Sequence, residues 1–367
     1  MENFTHTLFG LTLAKAGLER ATPLATTTLL IASNMPDIDF LMRFRGTFED
    51  LETHRGITHS FTGVAALAAF LTLILVFLDK RFRLRHDPFR RPIKPLRIFW
   101  LAYLGGLLHI FLDYTNNYGV RPLLPFSDRW FYGDFIFVVD PWIWLILGSA
   151  LVWLTTNSSA RIFIWLAIGI LLSLIMGFAL QEPSARFPLT ISLTIRIIWF
   201  AGLLIILFGA IRRWGERGER LARYSLLALG IYYLSMFMAH NTAVEQTRNN
   251  LPAEGVTSVA AWPTPANPYV WNAVAATTET TYSCYINLNG GKSEWVEAPI
   301  LKPELINALR NNSRTRTFMN FARYTVAGVE ETEQGYTVNL RDVRFDLKLR
   351  AVIDHDLQVK AADLKWF

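Results

Sequence analysis

The chain has 367 residues, of which 52% are hydrophobic and 14% aromatic, while only 18% are charged. This composition is too apolar for an ordinary soluble domain and is typical of a membrane protein with a polar appendage. The net charge of +6 does not indicate nucleic-acid binding, because most basic residues of the apolar part lie in two short loops. The single cysteine, Cys284, excludes an intramolecular disulfide and a cysteine-based metal site.

Apolar segments dominate residues 1–240. Two short ones, 4–18 and 22–34, come first and predict an N-terminal helical hairpin that either crosses the membrane or re-enters it. Six further segments are long enough, at about 20 residues each, to span a bilayer. They cover residues 60–79, 97–114, 138–155, 162–180, 195–211 and 222–240. The sequence therefore predicts an all-α polytopic membrane domain with six clear spans and a short N-terminal hairpin.

Two basic loops predict the orientation of these spans. The loop 79–97 holds eight Lys and Arg residues, and the loop 212–223 holds five. Basic loops stay on the cytoplasmic side of a membrane, so both loops are expected there. Alternating the spans from this starting point places the loop 115–137 and all residues after 241 outside the cytoplasm.

The pattern of apolar and polar residues changes after the last span. Residues 241–254 read as a linker, and alternating apolar and polar residues over 255–367 predict half-buried strands. The turn sequence "NLNGGK" favours a hairpin, since Asn and Gly tolerate positive φ. We therefore predict a small β-rich extracytoplasmic domain over 255–367.

The segment "GGLLHIFLDY" places His109 and Asp113 four residues apart within an apolar span. At this spacing both side chains lie on one face of a helix. Ionisable residues within a span need a partner or a polar cavity, which makes a functional role the first hypothesis. The pair forms half of a site for a divalent cation. The alternative is a His–Asp hydrogen bond that only joins helices.

The segment "NMPDIDFL" places Asp37 and Asp39 after a short apolar helix, and Pro36 predicts a break in the helix at Met35. Two carboxylates in a turn can bind one metal or bridge to a second. The alternative is a pair of ordinary turn or capping aspartates.

The segment "THRGITHS" contains His54 and His59, and Gly56 between them disfavours a continuous helix. We expect His54 in a loop and His59 in the first turn of the following span. Thr58 or Ser60 would then cap that helix or support the histidine.

The predicted orientation brings these candidates to one level of the membrane. His59 and Asp113 lie at the outer ends of their spans, and Asp134 and Asp140 follow in the outer loop. If the N-terminal hairpin crosses and returns, His6 and the "PDID" turn also lie there. This convergence favours one polynuclear His/Asp site over separate structural histidines.

Several motifs resemble those of a known family. "THTLFG", "PDID", "HRGITHS" and "GGLLHIFLD", followed by "YGVRPLLPFS", are similar to the bacterial membrane-bound metal-dependent hydrolases that include the LexA-regulated inner-membrane members. The specific motifs cover residues 1 to about 145, and the later helices with "WPTPANPYVW" look like the long form. The resemblance implies an inner-membrane location and a set of ligands or near-ligands. These are His6, Asp37, Asp39, His54, His59, His109 and Asp113.

These observations lead to a hydrolase hypothesis. Two or three divalent ions, with zinc the first choice, would activate water at the outer face of the inner membrane. Asp37 or Asp39 would orient or deprotonate that water, and Arg55 would stabilise charge on a phosphoryl group. A site at this depth suits a phosphoester or lipid-linked substrate drawn from membrane lipids.

Two alternatives belong to other functional classes. An ion- or proton-translocating protein would use the His109–Asp113 pair as a relay. A non-enzymatic envelope protein would use the metal to fasten helices while the β-rich domain binds a partner. Arg55 would then be only a membrane-interface anchor.

Overall fold

The computed structural model describes residues 1–87, 89–156, 158–179, 189–345 and 347–366. These residues form two compact units. The first comprises Met1–Asp37, Ile57–Phe237 and Pro265–Asn267, and the second comprises Ile38–Gly56, Met238–Thr264 and Pro268–Phe367.

Helices come first in the chain and strands follow. The α-helices of the described residues are α1 (Asn3–Lys15), α2 (Ala25–Ala32), α3 (Thr47–Thr53), α4 (Phe61–Leu78), α5 (Leu84–His86), α6 (Pro95–Tyr114), α7 (Pro141–Thr155), α8 (Ser159–Ala179), α9 (Leu189–Ile211), α10 (Glu219–Arg248), α11 (Pro303–Asn311) and α12 (Ser313–Phe321). The strands are β1 (Ser258–Thr264), β2 (Asn267–Ala276), β3 (Thr280–Asn287), β4 (Val296–Pro299), β5 (Thr325–Thr332), β6 (Gly335–Asp342), β7 (Leu347–Ile353) and β8 (Val359–Trp366).

Four helices among the described residues are long and apolar enough to cross a membrane. They are Phe61–His86, Pro95–Tyr114, Leu193–Ile211 and Glu219–Arg248. Two further apolar stretches among the described residues are shorter, namely Pro141–Thr155 and the part Ala160–Leu174 of α8. Each of the six predicted segments thus coincides with an apolar helix, and within the stretches searched, which for α8 end at Leu174, four reach the length and apolarity of a span. Residue 180 of the predicted segment 162–180 lies outside the described residues.

The long helices expose large apolar side chains. Leu73 of α4 is 69% exposed, Leu204 of α9 is 66% exposed and Leu227 of α10 is 62% exposed. Such faces cannot be left in water without a large hydrophobic penalty, and they are typical of helix surfaces in contact with lipid.

Helices α2, α4 and α6 pack closely in the first unit. Ala32, Ala68 and Ile98 are fully buried in one hydrophobic cluster between them. Small residues allow this approach, because a Cβ added at Gly106 of α6 would stand 2.3 Å from Val64 Cγ1 of α4. This packing holds the ends of α4 and α6 together, where the candidate residues lie.

The second unit contains two four-stranded antiparallel sheets, in the order β1-β2-β3-β4 and β5-β6-β7-β8. In β7, alternate residues starting with Leu347 and ending with Ile353 are buried, as the predicted half-buried strands require. Helix α3 belongs to this unit and contacts α12 and β8. The β-rich C-terminal region predicted from the sequence is confirmed, whereas the inclusion of Ile38–Gly56 was not predicted.

Helix α10 is longer than the last predicted segment. It continues to Arg248, so the first part of the predicted linker 241–254 is helical. The reason is local, because "NTAVEQTR" contains neither Gly nor Pro to end the helix.

Candidate metal centre

Four side chains of the first unit converge on one point. Asp37, His59, His109 and Asp113 each offer one ligand atom, and these atoms lie within 4.8 Å of one another. His59, His109 and Asp113 are fully buried, and the Asp37 side chain is 14% exposed. Burying this many ionisable groups is unfavourable unless they share a cation or a proton network.

The distances between the ligand atoms match a small divalent ion. The His59 Nε2 atom lies 3.2 Å from Asp37 Oδ1 and 3.4 Å from Asp113 Oδ2. The His109 Nε2 atom lies 3.5 Å from each of the same two oxygens and 3.1 Å from His59 Nε2. In a tetrahedral zinc site with bonds of about 2.0–2.1 Å, ligand atoms stand roughly 3.3–3.4 Å apart. In donor type and in these five pair distances, the four residues therefore fit such an ion.

Local structure explains how these residues meet. His109 and Asp113 lie one turn apart on the buried face of α6. His59 ends a short 3-10 helix, Ile57–His59, directly before α4. Asp37 lies in the 3-10 segment Met35–Phe44, which follows α2. The break in the helix predicted before Pro36 thus places a carboxylate beside the end of α6.

Hydrogen bonds on the far side of each imidazole ring aim its Nε2 atom at the centre. His109 Nδ1 lies 2.8 Å from the Ser33 carbonyl oxygen, which only accepts, so Nδ1 carries the proton. The Nε2 atom of a neutral ring is then a lone-pair donor. His59 Nδ1 lies 3.1 Å from the Thr58 hydroxyl. This arrangement of ring nitrogens is the usual one for metal-binding histidines.

The Asp37 carboxyl is held in its ionised form. Burial raises its pKa, but the His109 and His59 rings, which donate to it from Nε2 when they are protonated, lower the pKa by more. The net pKa of Asp37 lies well below its ordinary value, so the carboxylate is a competent cation ligand at neutral pH.

His6 lies beside the four-residue group. Its ring stacks on that of His109 with a centroid distance of 3.8 Å, and its Nε2 atom lies 3.5 Å from Asp113 Oδ1. The buried Nδ1 atom of His6 makes no hydrogen bond to any described residue. The amine of Met1 forms an ion pair with the same oxygen of Asp113.

Three other candidate residues belong to the second unit. His54 Nδ1 lies 3.3 Å from Asp39 Oδ1, and the backbone N–H of Arg55 donates to Asp39 Oδ2 at 2.8 Å. Arg55 is buried and has a φ of 53°. The Asp39 carboxylate thus stabilises a strained turn and orients the His54 ring.

The remaining candidates have structural contacts. Ser60 is the N-cap of α4 and accepts from the Gly63 N–H at 3.0 Å. Asp140 is the N-cap of α7 and accepts from the Tyr232 hydroxyl at 2.7 Å. Asp134 is buried with a φ of 60°. None of these three is among the four residues whose ligand atoms converge.

Two features of this region were not found from the sequence. The Ser33 carbonyl that fixes His109 is a backbone group, and a backbone group leaves no residue-type signal. Glu2 is the other feature, and it accepts from Trp144 Nε1 at 2.5 Å. An acidic residue near the start of the chain with no surrounding motif gave no reason to expect this contact.

Comparisons with known proteins concern the same half of the chain. Residues 1–183 match the family described as YdjM inner membrane protein. The uncharacterized protein YfhP of Bacillus subtilis (strain 168) is 26% identical over 181 residues, which are 46% of this chain and 51% of that protein. The chain thus spans about half the length of this curated relative. No solved structure matches the chain.

Proposed function

We propose, from the premise that residues 1–183 belong to the YdjM inner membrane protein family, that the chain is a metal-dependent hydrolase of the bacterial inner membrane. The observation that carries the proposal is the buried group of two histidines and two aspartates with the spacing of a metal site. A set of nitrogen and carboxylate oxygen ligands without sulfur suits zinc and related divalent ions.

The chain's own residues would prepare the chemistry in three ways. The Ser33 carbonyl and the Thr58 hydroxyl fix the rings of His109 and His59. When bound, a zinc-type ion would activate a water molecule and polarise the bond to be hydrolysed. Asp37 is the most exposed of the four side chains, so substrate would approach from its side.

Asp39, His54 and Arg55 follow Asp37 closely in the sequence and complete the proposal. The His54 Nδ1 atom lies 3.3 Å from Asp39 Oδ1, so the carboxylate orients the imidazole ring. A histidine oriented in this way can accept a proton or bind a metal. Arg55 would stabilise charge that develops on a phosphoryl oxygen.

A second ion would share Asp113. One oxygen of this carboxylate faces His59 and His109, and the other faces His6 and the Met1 amine. His6 and Asp113 would hold such an ion in place of the cationic Met1 amine, which is paired with the same oxygen, and the ion would help to activate water. The Nε2 atom of His6 lies 3.5 Å from that oxygen and, like Nδ1, is buried without a hydrogen bond to a described residue, which supports His6 as a ligand of this ion.

We further propose an orientation of the protein in the membrane and a class of substrate. With six spans, the basic loops 79–97 and 212–223 lie in the cytoplasm and the β-rich domain lies outside. The His/Asp group then stands at the outer face of the membrane. A phosphoester in a lipid head group or a lipid-linked molecule is the substrate class that this depth favours.

A structural metal is the alternative that one observation favours. Four protein ligands complete a tetrahedral zinc site, and structural zinc sites are closed in this way, whereas catalytic sites keep one position open. Exchange of the ion for Co²⁺ separates the two cases. A visible spectrum that changes when phosphate is added indicates an open position, and an unchanged spectrum indicates a structural metal.

The direct test uses the full chain purified in detergent. Its metal content is compared with that of His59→Ala and of a control, His86→Ala, which changes an exposed histidine outside the group. Hydrolysis of a phosphodiester and of phospholipid vesicles is then followed. We expect activity in the wild type and His86→Ala and its loss in His59→Ala. Wild-type protein without metal, or equal activity in all three proteins, would contradict the proposal. Flux of protons or ions into proteoliposomes without hydrolysis would instead support a translocating protein.

A further inference from the structure

An apolar cavity of about 540 Å³ lies among α7, α8 and α9 of the first unit. Its walls include Val152 of α7, Trp165 of α8 and Leu203 and Leu207 of α9, and Phe4 of α1 borders it. The volume falls within the range of about 300–1,000 Å³ that is usual for sites of small ligands. The His/Asp group contributes no residue to this cavity.

The polar side chains of the walls already have hydrogen-bond partners within the protein. Trp199 Nε1 donates to the Ser173 hydroxyl at 3.0 Å, and that hydroxyl donates to the Gly169 carbonyl at 2.7 Å. Trp165 Nε1 donates to the Thr155 hydroxyl at 2.8 Å. These groups therefore need no hydrogen bond from a ligand. A hydrocarbon chain can occupy the cavity without leaving a buried polar atom unpaired.

The length of the cavity matches a lipid chain. Its wall on α8 extends from Ile162 to Leu174, and at the helical rise per residue this is about 18 Å. One leaflet contributes roughly half of the 30 Å hydrocarbon core of a bilayer, about 15 Å, and this is the depth that one acyl chain fills.

Two glycines show that the described residues leave this space unfilled. Gly148 of α7 is buried and Gly169 of α8 is half-buried, yet a Cβ added to either would meet no atom within 4 Å. Protein interiors are ordinarily packed as densely as organic crystals. A buried residue that faces open space therefore indicates room for another molecule.

We infer that this cavity binds one acyl chain of a membrane glycerophospholipid. The first turn of α1 lies between the cavity and the His/Asp group, since Phe4 borders the cavity while His6 contacts Asp113. Trp144 fixes this turn by donating to the Thr5 hydroxyl at 3.0 Å. A glycerophospholipid is thereby the substrate class for the hydrolase. This last step rests on the proposed function, whereas chain binding depends on the cavity alone.

The test replaces each of the two glycines of the cavity by leucine, whose side chain should fill the space. Gly148→Leu and Gly169→Leu place side chains in open space and replace a poor helix former by a good one, so both variants should fold. Gly230→Leu is the matched control, because Gly230 of α10 also faces open space but does not border the cavity. Each full chain is purified in detergent, and the retained phospholipid is counted by native mass spectrometry.

We expect phospholipid to remain bound to the wild type and to Gly230→Leu and to be lost from both cavity variants. In nanodiscs, a phosphatidylglycerol with a photoreactive group at the end of its acyl chain should label the cavity walls of α8 and α9. That labelling should disappear in the cavity variants. Retention of phospholipid by Gly148→Leu and Gly169→Leu, or retention of a polyprenyl lipid in its place, would overturn the inference.

The same count on His59→Ala separates this inference from the proposed function. If His59→Ala retains the phospholipid but lacks metal and activity, both proposals stand. If the wild type contains no metal yet retains the phospholipid in a manner that Gly148→Leu abolishes, the hydrolase fails and the acyl-chain site holds.

Discussion

Gly106 sets the distance between the two helices that meet at the His/Asp group. In Gly106→Ala the new Cβ would stand 2.3 Å from Val64 Cγ1 and 3.3 Å from Val64 Cγ2. Carbon atoms in contact lie about 3.5–4.0 Å apart, so the nearer gap is too short by roughly 1.2–1.7 Å. Val64 is buried and β-branched, and its side chain cannot rotate away easily. Helices α4 and α6 must separate, which costs about 1–3 kcal/mol of stability.

The same displacement should weaken metal binding. Gly106 lies one turn before His109, and His59 directly precedes α4. Metal–ligand distances tolerate changes of about 0.2 Å, less than the movement that the clash demands. We therefore expect Gly106→Ala to lower both the Tm in detergent and the zinc content at limiting free zinc.

Two controls make this prediction refutable. Gly230→Ala adds a Cβ in open space and should leave stability unchanged or raise it by up to about 1 kcal/mol. The double variant Val64→Ala/Gly106→Ala removes the clashing methyl groups, so its loss should be smaller than the sum of the single losses. If Gly106→Ala behaves like Gly230→Ala in both measurements, the account of the α4–α6 contact is wrong.

Three further predictions concern other parts of the chain. Burial raises the pKa of the Cys284 thiol to about 11, so at pH 8 only about one thiol in a thousand is ionised. Alkylation of Cys284 should therefore be slow at pH 8 and should accelerate as the pH approaches 11. Rapid labelling of the folded protein at pH 8 would contradict this. Asp140→Ala removes the α7 cap and should cost about 1–2 kcal/mol, more than Tyr232→Phe, which removes one bond to the same carboxylate; equal losses in thermal unfolding would rule out a capping role. The side chains of Arg344 and Asp342 form a fully buried ion pair at 2.7 Å. Arg344→Met should therefore lower the free energy of unfolding by about 3–5 kcal/mol, and adding Asp342→Asn should recover part of that loss. If thermal unfolding shows no recovery, the pairing does not stabilise the fold.

The sequence predicts the apolar helices well because their signal is local. The segment 60–79 corresponds to α4, which begins at Phe61 after the Ser60 cap and ends at Leu78. Segment 138–155 instead becomes a shorter helix, because Asp140 caps α7 and Pro141 starts it. Length read from hydropathy alone includes residues that the cap excludes.

The candidate site likewise has a part that a local sequence pattern predicts and a part that it does not. The spacing of His109 and Asp113 identifies a shared helix face, and the structure places Asp37 and His59 beside that face. Ile38–Gly56 belongs with the C-terminal unit through contacts of α3 with α12 and β8. Those contacts join residues more than two hundred positions apart, and no local pattern records them. Asp39 and His54, which the motifs predict as ligands alongside Asp37 and His59, belong to the other unit, and their part in the site stays a prediction.

The central claim is that Asp37, His59, His109 and Asp113 hold a metal ion. The most direct measurement is X-ray absorption at the zinc edge of the purified full chain after loading with one equivalent of zinc. Two imidazole nitrogens and carboxylate oxygens at about 2.0–2.2 Å are expected in the wild type, and His59→Ala, which no longer retains the ion, should lose this imidazole signal. A spectrum of fully hydrated zinc, or one that His59→Ala leaves unchanged, would contradict it.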